Sequence, residues 1–479
     1  MPRSLARILE LLLVCGLTLS AAAQSFTAFD LFDGPNGVLP NSSLVQTANG
    51  TLVGSTYGGG SQNRGVLYHV TRSGKLDRFY SFCNQTDCPD GGFPNGLVLA
   101  TDGEFYGTTQ IGGTNEAGTI FKISPSEGLT TLVSFDYMNG ENPFSGVMQA
   151  NNGAFYGTTG FGGTHSDGTV FKFTANGKLM TLYNFGGNDG NRPTVAPIEG
   201  ADGSLYGTTS EGGLYGWGTI FTIDPTGMLT TLHSFCAVRS NQGYCADGAY
   251  PTQLIQASDG NIYGTTWYGG TEDCYNTNAG CGTIFRITLT GVFSSVYDFC
   301  ATKTDQGYCA DGSLPGGLIQ ATDGNLYGVT GEGGTGQGGT IFKVTPKGVL
   351  TTLYNFCSQA NCSDGAVPFY ALLQSTDGSF YGTTQYGNIN GTAFRLSMGL
   401  APFVKALPTA AKVGNTVGIL GTDLIGATSV TFNGVTASFK VVSASLIKTT
   451  VPAGATTGPI QVTLPNGVLQ SNVPFVVIQ

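Results

Sequence analysis

Charge is scarce in this sequence: 10% of its residues are Asp, Glu, Lys or Arg. That is too few for the solvent-facing stripes of surface helices, and it turns the chain towards strands and turns. The charge present leans acidic, with 30 carboxylate residues against 20 basic ones and a formal −10 at pH 7. That balance excludes binding to a phosphate backbone. The three histidines, His69, His165 and His233, fall at non-equivalent places, so they build neither a shared triad nor a metal centre. Beyond the first 20 or so residues no run approaches the ~18 unbroken apolar residues of a membrane-spanning helix.

What is abundant is glycine, 75 residues, with a hydrophobic fraction of 40% that keeps the chain in the folded class. The glycines sit in a repeated phrase, seen fully at Asp202-Gly203-Ser204-Leu205-Tyr206-Gly207-Thr208-Thr209. Seven copies begin at Asn49, Asp102, Asn152, Asp202, Asp259, Asp323 and Asp377. A repeat of roughly 50 to 64 residues is in the range of propeller blades.

Arg3 and Arg7 precede an apolar run from Ile8 to Leu19 and then Ala21-Ala22-Ala23, the pattern of a cleaved secretory signal over residues 1–23. The ten cysteines beyond it form close pairs: Cys83/Cys88, Cys236/Cys245, Cys274/Cys281, Cys300/Cys309 and Cys357/Cys362. None is a CxxC, so five local disulfides in an oxidising compartment are expected rather than a metal site. The protein is expected outside the cell or on its surface, with the periplasm as the alternative.

Each unit reads as four strands. In the fourth these are a first strand near Val195 to Ala201, the Leu205 to Thr209 run after an Asp-Gly hairpin, Gly218 to Ile223, and Leu229 to Phe235. At the N-terminus Phe26, Phe29 and Phe32 repeat the fourth-strand spacing of Leu129, Leu132 and Phe135, while Gly391 to Leu396 is a third strand that no fourth follows. One strand is spare and one is missing. The expectation is an all-β fold: a seven-bladed β-propeller over residues 25–398, closed by the N-terminal strand so that no sheet edge stays open. Past about residue 401 the repeat stops. Short strands with Asn-Gly turns, as at Asn433-Gly434 and Asn466-Gly467, predict a small Ig-like β-sandwich over residues 401–479.

Connection lengths place function on one face. The stretch from the third-strand Gly to the fourth-strand Phe is constant, whereas the interblade and second-to-third loops vary, and both emerge on the same side. The two tryptophans, Trp217 and Trp267, fall in those loops with Tyr215, Tyr268 and Tyr275, and flat rings beside Asn, Asp and Thr suit a sugar. Glu211 and Glu332 hold equivalent Glu-Gly-Gly positions there, the weak candidates for a carboxylate pair acting on a polysaccharide. Asp90, Asp189, Asp247, Asp311 and Asp364 precede Gly-x-x-Pro, with Asn36 and Asn139 completing the series. They are read as turn caps; a Ca²⁺ ring is the alternative, and no other cofactor is expected.

The phrase Asp-Gly-x-x-Tyr-Gly-Thr-Thr with Gly-Gly and Gly-Thr-Ile-Phe-Lys after it resembles the GloVer tandem repeat of bacterial choice-of-anchor surface proteins, over roughly Phe26 to Leu396. Val53, Val329 and the short loop at Gln385 to Asn390 depart from it. The resemblance implies an exported repeat protein without an assigned activity. Gly421-Thr422-Asp423-Leu424 and Val451-Pro452-Ala453-Gly454-Ala455 resemble the IPT/TIG Ig-like domain, which implies an interaction or spacer module. The expected protein is a monomeric, non-catalytic binder of an extracellular glycan or a cell-surface protein. A polysaccharide-active enzyme and a scaffold or adhesin are the alternatives.

Overall fold

The repeated phrase is a set of contacts. Asp202 accepts the Ser204 amide through Oδ1 at 3.1 Å and the Tyr206 hydroxyl through Oδ2 at 2.7 Å. The carboxylate thus closes the hairpin and ties down the Tyr whose ring fills the core. The same hydroxyl-to-carboxylate bond recurs at Tyr106–Asp102, Tyr263–Asp259, Tyr327–Asp323 and Tyr381–Asp377. Gly207 stands opposite Phe221 across the strand pair, and a Cβ there would lie 2.4 Å from Phe221 Cζ. Tyr-Gly and Gly-Thr-Ile-Phe are therefore two halves of one contact. Thr209 Oγ1 lies 2.9 Å from Thr219 Oγ1, and Thr208 Oγ1 donates to the Thr252 carbonyl at 3.0 Å. One threonine binds within the unit and its neighbour binds the next unit.

The computed structural model of the protein describes residues 24–29, 32–124, 128–274, 279–387 and 390–478, so the expected leader lies outside the described residues. Between Ser25 and Ser397 the strands form seven antiparallel sheets of four or five strands, and the described residues hold no α-helix. No helix among them is long and apolar enough to cross a membrane. In the fourth sheet the order is Ile198–Glu199, Leu205–Thr209, Thr219–Ile223 and Leu229–Ser234. The first strand is shorter than the sequence predicts, because Val195 gives its carbonyl to Thr158 Oγ1 of the preceding sheet rather than to a ladder. A bulge at Ile220/Phe221 recurs at Ile120/Phe121, Val170/Phe171, Ile284/Phe285 and Ile341/Phe342. With it, in the first six units the amide equivalent to Phe235 returns to the equivalent of the Gly218 carbonyl, here at 2.9 Å, which fixes the constant spacing.

The core lies between sheets. Tyr106 and Phe155 share one cluster, Tyr156 and Phe221 the next, Tyr206 and Phe285 the next, and Tyr263 and Phe342 the one after, so each sheet packs on its successor. Tyr381 of the seventh sheet packs with Leu52 and Tyr68 of the first. The spare strand goes where the sequence sends it: Ser25–Phe29 pairs antiparallel with Thr392–Ser397, Phe29 opposite Ala393, and Phe26 stacks on Tyr354 at 3.6 Å. The arrangement is propeller-like.

Residues 405–478 form a separate set of sheets. One orders Lys405–Leu407, Thr416–Leu420, Leu446–Thr450 and Phe439–Ser443, and a second orders Val435–Thr436, Ser429–Phe432, Ile460–Leu464 and Gly467–Gln470. They enclose Ile419, Val430, Phe432, Ile447 and Val462. This segment rests on the side of the Asx-Gly hairpins. Ser445 Oγ donates to the Ala48 carbonyl at 2.7 Å, Lys405 Nζ to the Gln374 carbonyl at 2.6 Å, and Arg72 to Thr422 and Thr376 at 3.3 and 3.2 Å.

Candidate functional site

The interblade loops are organised by their carboxylates. Asp90 accepts Tyr80 Oη at 2.8 Å, Asp311 accepts Tyr297 Oη at 2.6 Å, Asp364 accepts Tyr354 Oη at 2.8 Å, Asp189 accepts Tyr183, and Asp247 lies 2.9 Å from His233 Nε2. Each also takes an amide of its own loop, as from Cys83, Gly186, Ala237, Ala301 and Ser358. Burial pushes the Asp311 carboxyl up, whereas at Asp364 burial is outweighed by hydrogen bonds from Ser358 and Tyr354, which hold it below the ordinary value. Each carboxylate serves its own turn. Among the described residues the one group whose ligand atoms converge is Cys274, Cys281 and Cys309, so the Asp series does not gather around a common point.

Four of the expected disulfides form: Cys83–Cys88, Cys236–Cys245, Cys300–Cys309 and Cys357–Cys362. The fifth, Cys274–Cys281, does not, and here the structure corrects the sequence reading. Both sulfurs are buried and lie within 4.8 Å of one another and of the neighbouring bridge, with Cys274 Sγ 4.0 Å and Cys281 Sγ 3.9 Å from Cys309 Sγ.

The interblade loop ends in a repeated device. Gly218, at φ +97°, receives the ring of Pro251 from the next unit, since a Cβ on it would lie 2.6 Å from Pro251 Cδ. The residue before each such proline is thrown into the left-handed region: Leu39, Phe93, Asn142, Arg192, Tyr250, Leu314 and Val367 have φ between +48° and +60°. Their amides donate at 2.8–3.0 Å to the preceding unit, Tyr250 for example to the Trp217 carbonyl. The prolines are buried; the residues before them are half-exposed.

Two of these residues anchor a cluster. Arg192 pairs with Glu211 at 3.0 Å, and its guanidinium lies 5.4 Å from the Phe161 ring and 5.7 Å from that of Phe144. Tyr250 meets Trp217 at 5.4 Å and Tyr268 at 5.7 Å, both edge to face, over the Cys236–Cys245 bridge. Burial, then the nearby Glu211 carboxylate, raises the Tyr250 phenol.

The expected residues divide accordingly. Glu211, Trp217 and Tyr268 come together. Tyr215 is 49% exposed at its loop tip, and Trp267 turns to Phe369 at 6.1 Å. Glu332 stands exposed at its strand end, while Tyr275 lies outside the described residues. Arg192 and Tyr250 were missed. Their signal is in the sequence: the two positions between Gly and Pro vary inside a recurring Gly-x-x-Pro turn, and Arg192 and Tyr250 fill the second of them.

Residues 16–198 and 193–440 match the Gloeobacter/Verrucomicrobia repeat. The chain belongs to that family. The second match runs beyond the Gloeobacter/Verrucomicrobia array into the C-terminal segment. No curated protein matches the chain. Solved structures similar to it include the extracellular domain of a one-component system from B. thetaiotaomicron, at 12% identity and a TM-score of 0.48, covering 95% of this chain and 57% of that one. A gluconolactonase from Xanthomonas campestris is similar at 12% identity and a TM-score of 0.37, covering 75% of this chain and 88% of that one.

Proposed function

We propose that this protein is an exported, non-catalytic saccharide-binding protein: a seven-bladed propeller closed by its N-terminal strand, followed by an IPT/TIG-like domain. The observation that carries the reading is the joined surface of Arg192, Glu211, Trp217, Tyr250 and Tyr268 on the variable-loop face, where flat rings lie beside a charged pair. Rings of this kind stack on the C–H faces of a pyranose while the charged groups bond its hydroxyls. Four disulfides in surface loops support export. The ion pair also argues against hydrolysis, because Glu211 already serves Arg192 rather than facing a second carboxylate across a bond to be cut. A glycan array probed with the mature protein, with reducing-sugar release assayed on every hit, tests this. Retention without release is the expected result; release identifies an enzyme, and a blank array leaves a scaffold.

A further inference from the structure

We propose that the seven residues preceding the interblade prolines are the specificity-determining ring of the loop face, and that its polar arc, Asn142, Arg192 and Tyr250, reads the hydroxyl and carboxylate groups of a saccharide. This rests on the saccharide-binding reading above.

All seven hold a strained backbone. At φ between +48° and +60° a residue with a Cβ is strained, a β-branched one such as Val367 most of all, and a following proline adds its own clash. Glycine relieves all of this, and the chain spends 75 glycines freely, with positive φ at Gly218 and its equivalents a few ångströms away. Yet none of the seven is glycine. Seven side chains are kept against backbone strain, which structure tolerates where the side chain has a task.

One packing role common to all seven does not account for them. A shared packing role would select one residue type, as it selects Pro at the next position and Phe in the third strand. Here the occupants are aliphatic, aromatic, amide and cationic, on a backbone whose amide anchor is the same in every unit. Burial falls on the proline, and the residue before it stays half-exposed.

The seven are also ordered around the array. Leu314, Val367, Leu39 and Phe93 occupy the turns leading into the sixth, seventh, first and second sheets, a continuous apolar arc; Asn142, Arg192 and Tyr250 lead into the third to fifth. The polar arc coincides with the aromatic and charged cluster. Within it, the Arg192 side chain is 41% exposed and only its Nη1 is given to Glu211, so the outward part of the guanidinium faces the loop surface.

Two measurements test the ring separately from its ligand. Asn142, Leu314 and Val367 are each replaced by Ala and by Gly and melted. Ala keeps the strain and loses the side chain, and Gly loses both, so Gly is expected to melt at least about 1 °C above Ala and no lower than wild type. Ala melting above Gly, or both well below wild type, makes these side chains structural and overturns the proposal. N142A, R192A and Y250A are then run on immobilised xylan, pectin and chitin, the wild-type probes. At least a tenfold loss of retention is expected, with an unchanged melt for N142A and a still-folded protein by circular dichroism for R192A and Y250A, and full retention in all three overturns the polar arc. A wild type retained on none overturns the saccharide class and the parent reading, while the Gly-against-Ala order still decides whether the ring is held against strain.

Discussion

Gln46 of the first sheet and Thr376 of the seventh hold each other twice: the Thr376 amide donates to Gln46 Oε1 at 3.1 Å, and Gln46 Nε2 donates to Thr376 Oγ1 at 2.8 Å. The same reach from one unit to its predecessor recurs at Gln149–Thr101, Gln256–Ala201, Gln320–Ser258 and Gln374–Thr322, and Glu199 does it with its carboxylate to the Asn151 amide. The equivalent position in the second unit is Leu99, which has no side-chain acceptor, so the junction between the first and second sheets lacks this bond.

Supplying that bond should strengthen the array. Leu99→Gln is expected to raise unfolding free energy by about 1 kcal/mol, and Gln46→Leu to lower it by about 1–3 kcal/mol because the Thr376 amide is left buried without an acceptor. Urea unfolding of both variants measures this; equal and small effects at the two junctions would count against the staple.

Glu199 carries a pH signature that the glutamines do not. Burial, partly offset by the Asn151 amide, raises its folded-state pKa above the ordinary 4.5. The native state then holds a proton that the unfolded state has released, so Glu199 adds stability as pH falls through its folded value and withholds it at neutrality. Glu199→Gln should melt higher than wild type at about pH 7, with the gap closing towards about pH 4.5. A gap that stays constant with pH would refute the assignment.

The Tyr-Asp ladder sets the alkaline limit. Burial and the bond to Asp202 push the Tyr206 phenol up to about 12, and burial with the Asp377 charge does the same at Tyr381. An unfolded phenol ionises near 10, so this stabilisation is complete below that pH and is lost as pH climbs towards the folded value. Tyrosinate absorbance and circular dichroism followed in one titration should therefore change together for the ladder residues. Ladder ionisation well before the fold collapses would contradict the burial argument.

The two tryptophans should separate. Trp217 packs on Tyr250 and the Cys236–Cys245 bridge, so Trp217→Ala is expected to cost about 2–4 kcal/mol and to weaken polysaccharide retention. Trp267, 45% exposed and turned to Phe369 away from that cluster, should leave retention unchanged on replacement by Ala and cost less than about 1 kcal/mol of stability. Calorimetry beside retention assays distinguishes them, and identical profiles would show that both rings merely pack.

The repeat was legible because each of its letters makes a local contact: Asp202 with Tyr206, Gly207 with Phe221, Thr209 with Thr219. The pairing of Phe26 and its neighbours with the last third strand was legible for the same reason, as a missing letter at one end and a spare at the other. The candidate site was not. Arg192 and Tyr250 act through side chains that leave their own unit, and Cys274 and Cys281 face Cys309, which belongs to the following loop. Contacts between units have no fixed sequence offset, since they depend on loop lengths that vary from one unit to the next.

The pairing of Ser25–Phe29 with Thr392–Ser397 also sets a timetable. A ribosome or export channel delivers the first strand while its partner is still more than three hundred residues away. The strand must wait with its hydrogen-bonding edges open until nearly the whole array has emerged. Chains truncated before Thr392 never meet that partner, so they are the species in which self-association through the exposed strand should concentrate.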